Sequence, residues 1–494
     1  MGVIRKQGIS TSLLIYFGFA LGAFNILVLF AKYLSQEQAG LIFLFVAVGK
    51  IVLGFASFGN TSIMNKFFPY YTTYLRKDEN DFLSVSLILP VIGILLSTLF
   101  LNFAESFVLQ KTLEKSPLFA SYYHWIIPYS AFLILYTALE TYSYTNYKAE
   151  VPSFLREVIL RLLTSVLVIL VFLKVLSFSG LIAAYSLIYL VLVIALILYL
   201  RSKGLFRLQF SISKVTRRLK GKMLLFGSYI YGGLIISALA ENADTFFIGS
   251  LAGLGSVAVY QTGHFISTII QVPYRSLSAI AAPVISQAWK DKDLNLIHDI
   301  YKKTAINQLL AALLLFGGIW VNIDFILSVL GENYSGVKEV VLLLGIARII
   351  DLGFGQNAEI LHNSKYWKFN FLSYVVLVLT FLPTNYFLIK AYGIQGSAIS
   401  NLASFSLFNL VRYVFLWIKF GFQPFNFKTL LTLAFAFIAI IVGSQLGLTD
   451  SKWINLVLQS TGFLVLFSGL TLGFKLSEDV NLLLIQSWNR VLKK

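Results

Sequence analysis

The residues of this sequence best placed to do chemistry are charges standing inside long apolar stretches. Glu241 and Asp244 lie in one such stretch, which is followed by a Gly-rich turn and a second apolar run (ENADTFFIGSLAGLGSVAVY, 241–260). Three residues apart, they fall on one face of a helix. A carboxylate at the centre of a membrane helix costs about 2.5–3.5 kcal/mol on insertion scales, so this face is expected to look into protein rather than lipid. Desolvation drives such a group toward its neutral form, which makes Glu241 and Asp244 candidates for exchanging H⁺ or binding Na⁺. The plainer use is a hydrogen bond to Ser, Thr or Asn on a neighbouring helix. Four cations are embedded in the same way: Lys50, Arg275, Arg348 and Arg412. They are expected to line a cavity and attract an anionic group such as phosphate, for which the guanidinium fork offers two parallel donors. Asp351 is a further ion-coupling candidate, although Arg348 and Asp351 are three apart and can simply pair. Arg412 can also snorkel to the membrane surface.

The elements that carry these charges follow from composition. The 494 residues are 58% hydrophobic and 12% charged. Soluble domains carry about 25% charge, so long apolar runs rather than polar surfaces dominate. Each run is long enough to cross a hydrocarbon core of about 30 Å. The class is all-α, a polytopic membrane protein with about 14 transmembrane helices. The expected cores are 11–33, 38–60, 82–104, 121–146, 156–176, 180–200, 223–249, 255–284, 304–330, 337–361, 369–390, 394–418, 428–447 and 453–474. At 1.5 Å per residue, Lys50 lies roughly 20 Å from the outer end of its helix, and Glu140 near the inner end of helix 4. The chain has no cysteine, and its four histidines show no metal-ligand spacing. No phosphate-cradling Gly-x-x-x-x-Gly-Lys loop is present and no catalytic constellation forms. An enzyme, a metal site and a cofactor are therefore not expected.

The formal charge of +17 is read as topology rather than nucleic-acid binding. With the N-terminus inside, roughly 28 of the 39 Lys and Arg fall on inside segments and roughly seven outside. Arg156 and Arg161 count among the inside residues in this reading. The densest segment runs from Arg201 to Lys222, a basic surface where anionic headgroups gather. It also separates two similar halves. LKVLSFSGLIAAY, with Lys174 six residues before Gly180, matches IKAYGIQGSAISN, with Lys390 six before Gly396. LSQEQAGLIF around Gly40 matches LGSVAVYQ around Ala258. Both matches have an offset of about 216–218 residues, the mark of a duplicated six-helix unit. The expected organisation is an N-terminal lobe at 1–203, a basic cytoplasmic linker at 204–222, a C-terminal lobe at 223–420 and two further helices with a tail at 421–494. An even-numbered unit repeats in parallel, so the lobes are pseudo-symmetric about the membrane normal.

Three motifs carry a family resemblance: Asp244-x-x-x-Ile248-Gly249 followed by Val259-Tyr260; Tyr392-Gly393-Ile394-Gln395-Gly396-Ser397-Ala398-Ile399; and LSQEQAGL after the first helix. The PYY and RKDEND segment, Pro69 to Asp81, has the matching position and character. The chain resembles the multidrug/oligosaccharidyl-lipid/polysaccharide exporter superfamily, and within it the polysaccharide (O-antigen/teichoic acid) flippases of the Wzx type. It departs at Ala258, where members often have Gly. The resemblance implies two six-helix lobes around a V-shaped cavity, alternating access, and a polyprenyl-diphosphate-linked oligosaccharide as cargo. It also implies a bacterial inner membrane location, and the even span count with the Lys and Arg bias puts both termini in the cytoplasm. H⁺ or Na⁺ is the implied coupling ion. Membrane lipids and polysaccharide polymerase or assembly proteins are further implied partners. A diphosphate would meet Lys50, Arg275, Arg348 and Arg412 from the cytoplasmic side. The rival readings are a multidrug/cation antiporter of the same superfamily, typically with a carboxylate in its first helix, and a peptidoglycan lipid-precursor flippase, with cations there. Helix 1 of this chain offers only Asn25.

Overall fold

The structure, a computed structural model, describes residues 14–482 except 77, 113 and 448; the side chains of 111, 112, 275, 276 and 279 also lie outside the described residues. Arg5, Lys6, Lys77, Arg490, Lys493 and Lys494, which contribute to the charge bias, are outside them too. Among the described residues every regular element is helical. Among the described residues ten helices are long and apolar enough to cross a membrane, as a multi-pass membrane protein requires. One of the ten, Trp367–Phe420, covers two of the spans expected from sequence.

The chain divides into two units, Met1–Ala258 and Val259–Lys494. The first contains α1 (Leu14–Tyr33), α2 (Gln36–Ala56), α3 (Asn60–Tyr74), α4 (Phe82–Thr112) and α5 (Ile126–Thr145). It continues with α6 (150–172), α7 (Phe178–Ser202) and α8 (Lys214–Leu251). A capping box opens α2: the Ser35 hydroxyl accepts from Gln38 N–H at 3.2 Å, and Gln38 Oε1 accepts from Ser35 N–H at 3.0 Å. That satisfies two donors a helix start otherwise leaves open. Lipid tails are as apolar as leucine, so membrane helices associate through close packing rather than water exclusion. The glycines of α2 permit that approach. A Cβ at Gly40 would collide with the Leu254 carbonyl oxygen, and one at Gly54 with Ala238 of α8.

Helix α8 begins earlier than hydropathy alone indicates. Ser213 caps it, accepting from Thr216 N–H at 3.1 Å, so the basic segment is already helical from Lys214 onward. Buried Asp81, just ahead of α4, fastens this turn down. One of its carboxylate oxygens accepts from Ser213 N–H at 2.9 Å and from the Thr216 hydroxyl at 2.8 Å.

The second unit contains most of α9 (Leu254–Thr268), then α10 (Val272–Asp291), α11 (Leu294–Val321), α12 (Ile323–Leu330), α13 (Val337–Gly353) and α14 (Asn357–His362). It ends with α15 (Trp367–Phe420), α16 (Phe427–Gln445) and α17 (Lys452–Gly473). Helix α15 is two arms folded back on each other at Gly393, whose φ of 58° and ψ of −137° favour glycine. The arms pair antiparallel: Thr384 meets Ser400 at 2.7 Å, and Arg412 donates to Ser373 at 2.9 Å. The turn falls between the spans expected at 369–390 and 394–418. The last two helices pack on α11, where Phe463 lies against Gly317 and joins a buried cluster with Leu313, Phe316, Leu352 and Ala436.

Candidate functional site

Two networks of embedded charge stand out, one in each unit. In the first, Lys50 projects from α2 as an exposed side chain on a largely buried helix. The charges that act on it are those of Glu241, Arg156 and Asp244. Lys50 makes no direct ion pair among the described residues. Glu241 and Asp244 share the α8 face expected of them but differ in setting. Glu241 is exposed and accepts from the Ser237 hydroxyl at 3.0 Å; Asp244 is 3% exposed and accepts from Thr245 N–H and its hydroxyl at 2.6 and 3.1 Å. Three residues are roughly 300° of helical turn, which leaves about 60° between two side chains and lets them meet different neighbours.

Sequence reading missed the strongest ion pair of this network. The Glu140 side chain of α5 is 3% exposed and binds Arg156 of α6 at 2.8 Å. Tyr144 donates to the other Glu140 oxygen at 3.0 Å. Arg156 lies on a π-helical turn, Leu155–Ile159, within α6. A second π-helical stretch, Asn25–Phe30, lies in α1. Extra residues of this kind widen the turn and free carbonyls, and they recur at functional sites. Here Asn25 donates to the Arg161 carbonyl at 2.9 Å and accepts from the Ser165 hydroxyl at 2.6 Å. Arg161 itself pairs with Glu157 at 2.9 Å. Arg156 and Arg161 are thus members of an intrahelical and interhelical charge network, where the charge count assigns them to an inside segment. The available signal was the Glu157/Arg161 i,i+4 spacing directly ahead of an apolar run.

In the second unit the expected pairing of Arg348 with Asp351 does not form among the described residues. Asp351 accepts from Asn409 at 2.8 Å and from Gln271 at 3.4 Å. Asn409 in turn accepts from Asn357 at 2.9 Å, which ties α10's approach, α13, α14 and α15 into one polar chain. Arg348 is 6% exposed, lies 5.4 Å from the Phe405 ring centre, and its Nε has no hydrogen-bond partner among the described residues. Arg412 is buried rather than snorkelling. Its guanidinium sits 3.7 Å from the Phe408 ring centre and 4.8 Å from that of Tyr374, while Nε reaches Ser373. Arg275 lies on α10, with its side chain outside the described residues. Lys50, Glu241 and Asp244 are therefore brought together in one unit, and Asp351 stands with Asn409 and Gln271 in the other.

This helical arrangement is shared with solved membrane transporters and a lipid flippase. The chain is similar to the lipid II flippase MurJ in an inward closed conformation, with a TM-score of 0.72 and 17% identity, over 94% of this chain and 98% of that one. It is similar to a multidrug resistance MATE family transporter of the MOP superfamily in an inward-facing conformation, with a TM-score of 0.62 and 16% identity, over 82% of this chain and 94% of that one. The MATE transporter VcmN of Vibrio cholerae, in its bent form, is similar at a TM-score of 0.51 and 15% identity, over 84% of this chain and 97% of that one. No protein-family model matches the chain, and no curated protein matches it.

Proposed function

We propose that this protein is a flippase that carries a polyprenyl-diphosphate-linked oligosaccharide from the cytoplasmic to the outer leaflet by alternating access. The observation that carries the reading is Lys50: an exposed cation in the middle of an apolar helix, in no ion pair among the described residues. Such a group needs water or an anionic ligand, because lipid would not tolerate it. Arg348, buried with a free Nε against an aromatic ring, offers a second donor of the same kind. The likeness to a lipid flippase over nearly the whole chain supports a lipid cargo. The absence of any charge in the described part of α1 before Lys32 supports an oligosaccharide repeat unit over a peptidoglycan precursor. Glu241, Asp244 and Asp351 are the residues proposed to couple H⁺ or Na⁺. The carboxylates around Lys50 favour one second reading, a cation antiporter, because the field near Lys50 includes two acids.

The test uses a deletion strain, with lipid-linked saccharides extracted and their leaflet assigned by an impermeant glycan-modifying reagent. A diphosphate-linked repeat unit accumulating inside, and cleared when the gene is restored, supports the flippase. No accumulation, with sensitivity to cationic dyes instead, favours the antiporter.

A further inference from the structure

A groove of about 1120 Å³ lies within the first unit, between the end of α3, Leu75 and Glu79, the stretch from Gln209 to Val215, and the first turns of α8. Five cations line it: Lys66, Lys214, Arg217, Arg218 and Lys222. Glu79 is the one carboxylate among the described residues of its lining, and none of the five cations makes an ion pair among them. Tyr70, Tyr74 and Tyr229 add exposed aromatic faces, at 45%, 71% and 78%. The walls are anchored rather than loose. Asp81 holds Ser213 and Thr216, Tyr71 meets the Thr216 hydroxyl at 2.8 Å, and Gln209 donates to the Asp78 carbonyl at 3.0 Å. Lys66 lies 3.7 Å from the Phe226 ring centre, which sets its ammonium on the groove wall.

We infer that this groove binds the phosphate-bearing headgroup of a membrane lipid. Uncompensated cations on a fixed frame recognise phosphate. The surface of α8 past these cations points to a lipid rather than a free phosphate. Beyond Lys222 the helix exposes Leu224, Leu225 and Tyr229 and carries no charge until Glu241. The cations therefore stand where the apolar span begins, at headgroup level, with apolar surface continuing below them. An anionic head and a hydrocarbon tail fit that sequence of chemistries; a soluble phosphate uses only half of it. Two lipids share the chemistry, an anionic phospholipid and a polyprenyl diphosphate, and only the second rests on the flippase reading.

The experiment titrates the full-length purified protein in detergent micelles with phosphatidylglycerol, polyprenyl diphosphate, phosphatidylcholine and inorganic diphosphate, measuring binding by native mass spectrometry. Binding of either anionic lipid is expected, weakening with salt, with phosphatidylcholine weak. Lys66→Gln should weaken it about fivefold, and Arg217→Gln with Arg218→Gln and Lys222→Gln about a hundredfold. Preference for polyprenyl diphosphate identifies cargo capture; equal binding identifies recognition of lipid phosphate in general. Equal affinity for inorganic diphosphate, or lipid binding unchanged in the variants, overturns the assignment. If the triple variant inserts wrongly, Lys66→Gln alone decides, since it removes no charge from the basic segment. Wild-type flipping with no lipid at this groove would sink the groove and leave the flippase standing.

Discussion

The Glu140–Arg156 pair gives a prediction whose size depends on which partner is removed. Glu140 is 3% exposed and Arg156 is 51% exposed at the side chain. Arg156→Ala leaves a buried carboxylate with only the Tyr144 hydroxyl to satisfy it. Breaking a buried pair in this way costs about 3–5 kcal/mol. Glu140→Ala leaves a guanidinium that already reaches outside the protein, and the loss is that of one charge-assisted hydrogen bond, about 1–2 kcal/mol. Replacing both by methionine removes charge and desolvation together and should return to within about 1 kcal/mol of the native protein. Reversible SDS unfolding of the purified protein, monitored by circular dichroism, compares the native protein with all three variants. An Arg156→Ala cost no larger than that of Glu140→Ala would refute the buried-carboxylate account. So would a double replacement no more stable than Arg156→Ala alone.

Four other outcomes rest on single residues. Lys50→Ala should reduce flipping at least about tenfold, the loss of one charged contact to the cargo, while membrane abundance stays native on immunoblots; retained transport would remove Lys50 from the site. Gly40→Ala puts a methyl group into the Leu254 carbonyl and should cost about 1–3 kcal/mol or more, lowering folded yield by fluorescence-detected size exclusion. Gly221→Ala, with no neighbour within 4 Å, should leave that yield unchanged or slightly raised. Asn409→Leu removes the 2.8 Å donor to Asp351 and the acceptor for Asn357, and should cost about 1.5–3 kcal/mol in the same SDS titration.

The class is legible in the chain itself. The low charge and the recurring apolar runs require membrane helices because an unpaired backbone group in hydrocarbon costs several kcal/mol. The break near Gly393 was legible because the apolar runs on either side, 369–390 and 394–418, are each long enough for one span. The shared face of Glu241 and Asp244 was legible because helical period is a local property. Which charge meets which emerges only on folding. Glu140 finds Arg156 sixteen residues away across two helices, and Asp81 holds Thr216 from a point 135 residues earlier. Helix α8 draws close to α2 at Gly54, while Asp351 turns from Arg348 toward Asn409. Periodicity states which way a side chain points along its own helix. It holds no term for the helix on the other side, and in a membrane, where close packing rather than water exclusion selects neighbours, that choice belongs to the folded chain.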